Sequence, residues 1–221
     1  MLLFPRLTQL DLTAPFEVFS RLPQTAVDLA AATLDPVVSE GGLSILPTTT
    51  FADSAPCDLL FVPGGRGVDA AMLDANVIDF IRRQSVDARW ITSVCTGALL
   101  LGAAGLLRGY EATTHWTAMD LLPAFGAKPI EKRVVRDRNR FTAAGVSAGI
   151  DFALSIAAEL HGEAIAREIQ LILEYDPQPP FDSGSPRRAG TELVEIVRKR
   201  RASNEETRRR DVAAAASQMP G

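Results

Sequence analysis

Trp90-Ile91-Thr92-Ser93-Val94-Cys95-Thr96-Gly97-Ala98-Leu99 changes character at its sixth residue. Up to Val94 the run is rich in apolar and β-branched residues, as a buried strand requires. From Thr96 a chain of small and apolar residues runs to Leu107 and reads as a helix. Ser93, Gly97 and Ala98 surround the cysteine with small side chains, the small-x-nucleophile-x-small pattern of a nucleophile elbow. Backbones pass close together in so tight a turn, and larger neighbours would collide. The turn pushes the side chain off the sheet, and the helix N-terminus beside it favours an anion. Cys95 is therefore expected to be an ionised, nucleophilic thiol. The competing expectation is an inert, buried cysteine, the usual fate of a free thiol.

On either side of this elbow, strands and helices alternate. Strands are expected over Ala26–Ala32, Leu59–Val62, Arg89–Val94, Tyr110–Thr114, Arg133–Asp137 and Phe141–Ala144. A short apolar piece, Leu2–Phe4, precedes them, and Pro36–Ser39 with Ser44–Pro47 reads as a hairpin around Gly41-Gly42. Helices are expected over Thr13–Leu22, Asp74–Val86, Thr96–Leu107, Trp116–Ala124, Gly149–Leu160, Ala164–Glu174 and Glu192–Arg210, with a proline-rich loop over Pro177–Ser185. Apolar, non-alternating strands separated by helices predict an α/β fold with a mainly parallel sheet covered on both faces. In such sheets ligands bind beyond the carboxyl ends of the strands. That places a site at the loops after Phe4, Val62 and Val94.

The chain has 221 residues and a net charge of −4, with 47% hydrophobic and 23% charged residues. This is an ordinary globular balance with no reason to expect nucleic-acid binding. Residues 187–221 hold nine basic residues against five acidic ones, so the remainder carries −8. Two units follow: residues 1–186 as the catalytic domain, and 187–221 as a basic C-terminal helix, read as solvated, with a frayed end from Ala213. Pro5 and Asp11 interrupt any leader-like apolar run, and no stretch is long enough to span a membrane. Cys57 and Cys95 are too few for a disulfide framework, so a reducing, cytoplasmic setting is expected.

Other residues qualify as candidates more weakly. Gly64 and Gly65 follow the strand ending at Pro63, where backbone N–H groups can approach developing negative charge; a tight turn needing positive φ explains them equally. Asp11, between Leu10 and Leu12, is an acid/base candidate or a helix N-cap. His115 follows a strand and is more often structural. Cys57 reads as incidental, and two histidines with two cysteines at these spacings form no zinc site. Gly65-Arg66-Gly67 is not a dinucleotide fingerprint, because the third glycine is missing.

With these residues in hand the chain resembles the DJ-1/PfpI superfamily, and within it the isonitrile-hydrating branch. The resemblance rests on Leu10-Asp11-Leu12-Thr13-Ala14-Pro15, Val62-Pro63-Gly64-Gly65, Thr92-Ser93-Val94-Cys95-Thr96-Gly97, Ala112-Thr113-Thr114-His115-Trp116, Ala148-Gly149-Ile150-Asp151-Phe152 and the segment from Leu173 to Pro186. It implies a flavodoxin-like three-layer sandwich, a homodimer, no cofactor, and hydration of an isonitrile to an N-substituted formamide. It also implies Cys95 as nucleophile, Asp11 as the acid in contact with it, and Thr96 where the protease-like branch carries histidine. His115 matches a histidine near the nucleophile in some other branches, and with Gly64 and Gly65 it is the candidate for oxyanion and substrate binding. The cysteine elbow and Thr-Thr-His-Trp also occur in sensor domains of AraC-type regulators, which carry a helix-turn-helix module that this chain lacks. A redox or ligand sensor and a glyoxalase- or amidase-like enzyme remain alternatives. The family usually has several more residues before Leu2-Leu3-Phe4-Pro5, which implies either a misassigned start or a short, locally truncated strand here.

Overall fold

The computed structural model describes residues 1–219. Its strands are β1 (Ala30–Ala31), β2 (Val37–Val38), β3 (Ser44–Ile45), β4 (Thr49–Thr50), β5 (Leu59–Val62), β6 (Trp90–Val94), β7 (Glu111–Ala112), β8 (Lys128–Pro129), β9 (Val134–Asp137) and β10 (Arg140–Ala143). Its α-helices are α1 (Gln9–Phe19), α2 (Val68–Ala71), α3 (Ala75–Ser85), α4 (Gly97–Ala103), α5 (Ala148–His161), α6 (Glu163–Ile172) and α7 (Pro186–Ser217), with a 3-10 helix over Trp116–Phe125.

The central sheet has the order β5-β6-β10-β9. β5 and β10 both run parallel to β6, and β9 closes the edge antiparallel. Near the chain start, Leu2 donates to the Phe61 carbonyl at 2.9 Å and forms a parallel bridge with Ala30. This short link joins β5 to the parallel β1–β4 pair. Every residue of β6 and β10 is buried, as helices on both faces require. The sandwich is thus α/β with a mainly parallel sheet, and β2–β3 forms the expected hairpin.

One face is filled by aromatics. Phe152 of α5 meets Phe19 of α1, Phe61 of β5 and Phe141 of β10, with centroids 5.7 to 6.5 Å apart. Phe152 is fully buried. Phe152→Ala is expected to cost about 3–5 kcal/mol, read as a lowered midpoint in urea unfolding with an unchanged slope.

Three expectations need correction. Helix α1 begins at Gln9, four residues before the expected start, so Asp11 lies in its first turn and is not an N-cap. The Asp11 N–H closes that turn on the Thr8 carbonyl at 3.0 Å. The Trp116 segment is a 3-10 helix containing Pro123, whose missing N–H breaks the α pattern. The basic C-terminal helix continues to Ser217, kinked at Gly190, and buries Arg208, Asp211, Val212 and Ala215. It is neither wholly solvated nor frayed at Ala213, because its 208, 211, 212 and 215 positions form one packed stripe. The last two residues of the expected frayed end lie outside the described residues. Among the described residues no helix is long and apolar enough to cross a membrane.

Candidate active site

Cys95 sits between β6 and α4 with φ 55°, a left-handed conformation that costs a non-glycine residue energy. Three hydrogen bonds hold it. The Cys95 N–H lies 3.0 Å from the Ala143 carbonyl and 2.8 Å from that of Ala144, and Thr114 Oγ1 donates to the Cys95 carbonyl at 2.7 Å. Small neighbours are obligatory here: a Cβ on Gly97 would stand 2.3 Å from the Val62 carbonyl oxygen.

Asp11 is fully buried beside this elbow. Its Oδ2 accepts from the Gly64 N–H at 3.0 Å, while Oδ1 is buried without a well-formed hydrogen bond. Burial pushes the carboxyl up to about 7, against the opposing pull of hydrogen bonds from the Cys95 thiol and Gly64. Burial also pushes the Cys95 thiol well above its ordinary value, helped by the Asp11 charge, and this outweighs the Thr96 N–H that favours the thiolate. Burial therefore works against the resting thiolate that the helix N-terminus alone suggests. Loss of water around the sulfur is worth more than the short helix behind it.

The two glycines act differently from the expected oxyanion donors. Gly64 N–H is engaged by Asp11, and Gly65 N–H donates to Thr96 Oγ1 at 3.1 Å. Both N–H groups anchor side chains of the site instead of pointing at a ligand. Thr96 also donates to the Gly65 carbonyl at 3.3 Å, so its hydroxyl fastens the glycine loop to the elbow while its N–H serves the sulfur. A Cβ on Gly64 would lie 2.5 Å from Thr96 N and 2.8 Å from Asp11 Oδ2. Gly64→Ala is expected to destabilise the fold by about 1–3 kcal/mol and to cut turnover at least tenfold, measured by urea unfolding and steady-state kinetics.

His115 caps the 3-10 helix. Its Nδ1 lies 2.8 Å from Thr117 Oγ1 and accepts from Thr117 N–H at 3.3 Å, which assigns its proton to Nε2. Burial, then the charges of Arg201 and Arg208, push it down to about 4. It is a neutral imidazole at pH 7.

A cavity of about 380 Å³ opens over the elbow, with Cys95, Thr96, Gly65 and His115 in its lining. Asp11 and Gly64 lie beneath, out of the lining, and Cys57 is half-buried elsewhere. Sequence reasoning missed Thr8, Glu40, Arg66, Val146, Arg201 and Arg208, which complete the wall. Arg208 reaches from α7 to Asp69 of α2 at 2.6 Å and donates to the Gly65 carbonyl at 3.1 Å. The spacing of Arg201 and Arg208, two helical turns apart, was a readable signal that they share a face. Among the described residues no group of His, Cys, Asp and Glu is arranged to hold a metal ion.

Comparison with known proteins agrees with this architecture. The chain is 55% identical over 201 residues to isonitrile hydratase of Pseudomonas putida, covering 91% of this chain and 88% of that protein. The crystal structure of a ThiJ/PfpI family protein from Pseudomonas syringae superposes with a TM-score of 0.93 at 45% identity, covering 96% of this chain and 88% of the other. The HTH-type transcriptional regulator GbdR of Pseudomonas aeruginosa shares 31% identity over 63% of this chain but only 38% of its own length. The model of the DJ-1/PfpI family matches residues 1–159, and by that match and the fold it describes the chain belongs to the DJ-1/PfpI family.

Proposed function

We propose that this protein hydrates isonitriles, R–NC, to N-substituted formamides, R–NH–CHO, with Cys95 as nucleophile, Asp11 as acid/base and no cofactor. The observation that carries the reading is the buried pairing of the Cys95 thiol with a carboxyl group poised near neutrality beneath an open cavity. The 55% identity to an isonitrile hydratase supports it.

The Asp11 carboxylate takes the thiol proton as the sulfur bonds the terminal isonitrile carbon, and returns that proton to the same carbon. The product is a thioimidate, R–N=CH–S–Cys95. Water then adds across C=N, its hydroxyl going to carbon and its second hydrogen to nitrogen, with Asp11 relaying the proton. The C–S bond breaks, the carbonyl forms, and the hydroxyl proton returns to the sulfur. Net, one water is consumed and the thiol is regenerated. The Thr96 N–H stabilises the sulfur as it gains charge, and neutral His115 offers its Nε2–H to the bound substrate.

A peroxide-sensing role is disfavoured by the same burial, since oxidation follows thiolate character and exposure. Methylglyoxal and small amides are expected to be inert. The reading includes a homodimer in the cytoplasm; exposed Leu171 and Ile172 on α6 and Phe181, Leu193 and Ile196 beyond it favour a covered face, and light scattering at micromolar concentration tests it. The decisive assay incubates the purified protein with an alkyl or aryl isonitrile and follows the formyl proton by NMR. Absence of formamide with the intact protein defeats the proposal.

A further inference from the structure

Helix α7 brings into the cavity a positive charge that the reaction above does not use. Three arginines line the wall, and two are satisfied. Arg208 is paired with Asp69 at 2.6 Å and bonds the Gly65 carbonyl. Arg66 lies 3.9 Å from Glu40, whose carboxylate also accepts from Thr8 Oγ1 at 2.6 Å and from the Arg66 N–H at 3.2 Å. Arg201 has no ion pair or hydrogen bond among the described residues, and its Nε is buried. Glu205, one turn further along α7, is outside the cavity wall and makes no ion pair with it; its own Oε1 is also buried and unpartnered.

A guanidinium with a desolvated N–H and no carboxylate within ion-pair distance is unfavourable by itself. An anion in the cavity would complete it, in the planar geometry that suits a carboxylate. The charge is already felt inside the site, because Arg201 depresses the neighbouring His115. The cavity volume also exceeds what a linear isonitrile group requires, leaving room for a substituent that reaches the wall.

We propose that Arg201 is a specificity-determining residue and that the substrate is an anionic isonitrile whose R group carries a carboxylate. This rests on the hydration reading above, and the test separates the two. Wild-type protein is assayed with isocyanoacetate and with its neutral methyl ester. The expected kcat/KM ratio favours the anion by about ten- to a hundredfold, the strength of a hydrogen bond to a charged group. Arg201→Gln is expected to bring the ratio to about one, whereas Arg200→Gln, an exposed arginine outside the cavity, keeps it. Equal turnover of both compounds by wild type, or equal flattening by Arg200→Gln, overturns the proposal. If neither isonitrile is hydrated, the hydration reading falls, and calorimetry decides the anion site separately. N-formylglycine binding Cys95→Ser protein at least tenfold tighter than N-formylglycinamide, through Arg201 only, supports it. Equal affinities overturn it.

Discussion

Cys95→Ala is expected to abolish formamide production, by about a thousandfold or more, because it removes the atom that forms the covalent intermediate. Cys95→Ser should be nearly as inactive: a hydroxyl is harder to deprotonate than a thiol, and Asp11 near 7 is a weak base for it. Neither change is expected to unfold the protein. The side chain is small, and the turn that holds it is built from backbone bonds of residue 95 to Ala143, Ala144 and Thr114. Far-UV circular dichroism and the urea midpoint serve as controls. In wild type, rapid acid quench should trap protein heavier by one isonitrile, and the Cys95→Ala protein should show none. Formamide made by Cys95→Ala at the wild-type rate would remove the sulfur from the chemistry altogether.

The second large effect concerns Asp11 and has two readouts with opposite dependence on pH. For catalysis the carboxylate is the active form, so kcat/KM should fall about tenfold per pH unit below 7 and level off above it. Asp11→Asn keeps an oxygen for the Gly64 N–H but cannot carry the proton; its rate should drop about 10²- to 10⁴-fold and lose that pH dependence. For stability the protonated form is the favoured one. The unfolded chain releases this proton near 3.8 and the folded chain near 7. Stability associated with Asp11 is therefore complete below about pH 4 and declines as pH rises through 7, by an amount on the order of 4 kcal/mol. Asp11→Asn has no charge to bury, so its stability relative to wild type should rise between pH 5 and pH 8 in urea unfolding. A difference that stays constant across that interval would mean that Asp11 is not the titrating group.

Much of this architecture is written in local pattern. The strand over Leu59–Val62 could be read from an unbroken apolar run and the strand before Cys95 from apolar and β-branched residues, since both faces of the sheet are covered. Asp74 was legible as the opening of α3, where its carboxylate accepts the Asn76 N–H at 2.9 Å. The small residues around Cys95 pointed to a tight crossing, and the 2.3 Å that would separate a Gly97 Cβ from the Val62 carbonyl oxygen is that crossing. Each of these depends on residues a few positions apart, which periodicity and residue size report directly.

Other properties took shape only when the chain closed on itself. Asp11 and Cys95 are 84 positions apart, and their proton affinities depend on the water that the whole packed neighbourhood excludes, a cost that the helix behind the thiol does not report. The bonds of Arg208 to Asp69 and Gly65 span 139 and 143 residues, and they turned a tail that looked solvated into a wall of the cavity. Gly64 and Gly65 stood out by residue type, but where their N–H groups point is set by Asp11 and Thr96 arriving from other elements. Residue type and spacing thus determined which elements form and where the elbow lies; burial, charge and donor direction are sums over neighbours in space, and only the folded chain supplies those neighbours.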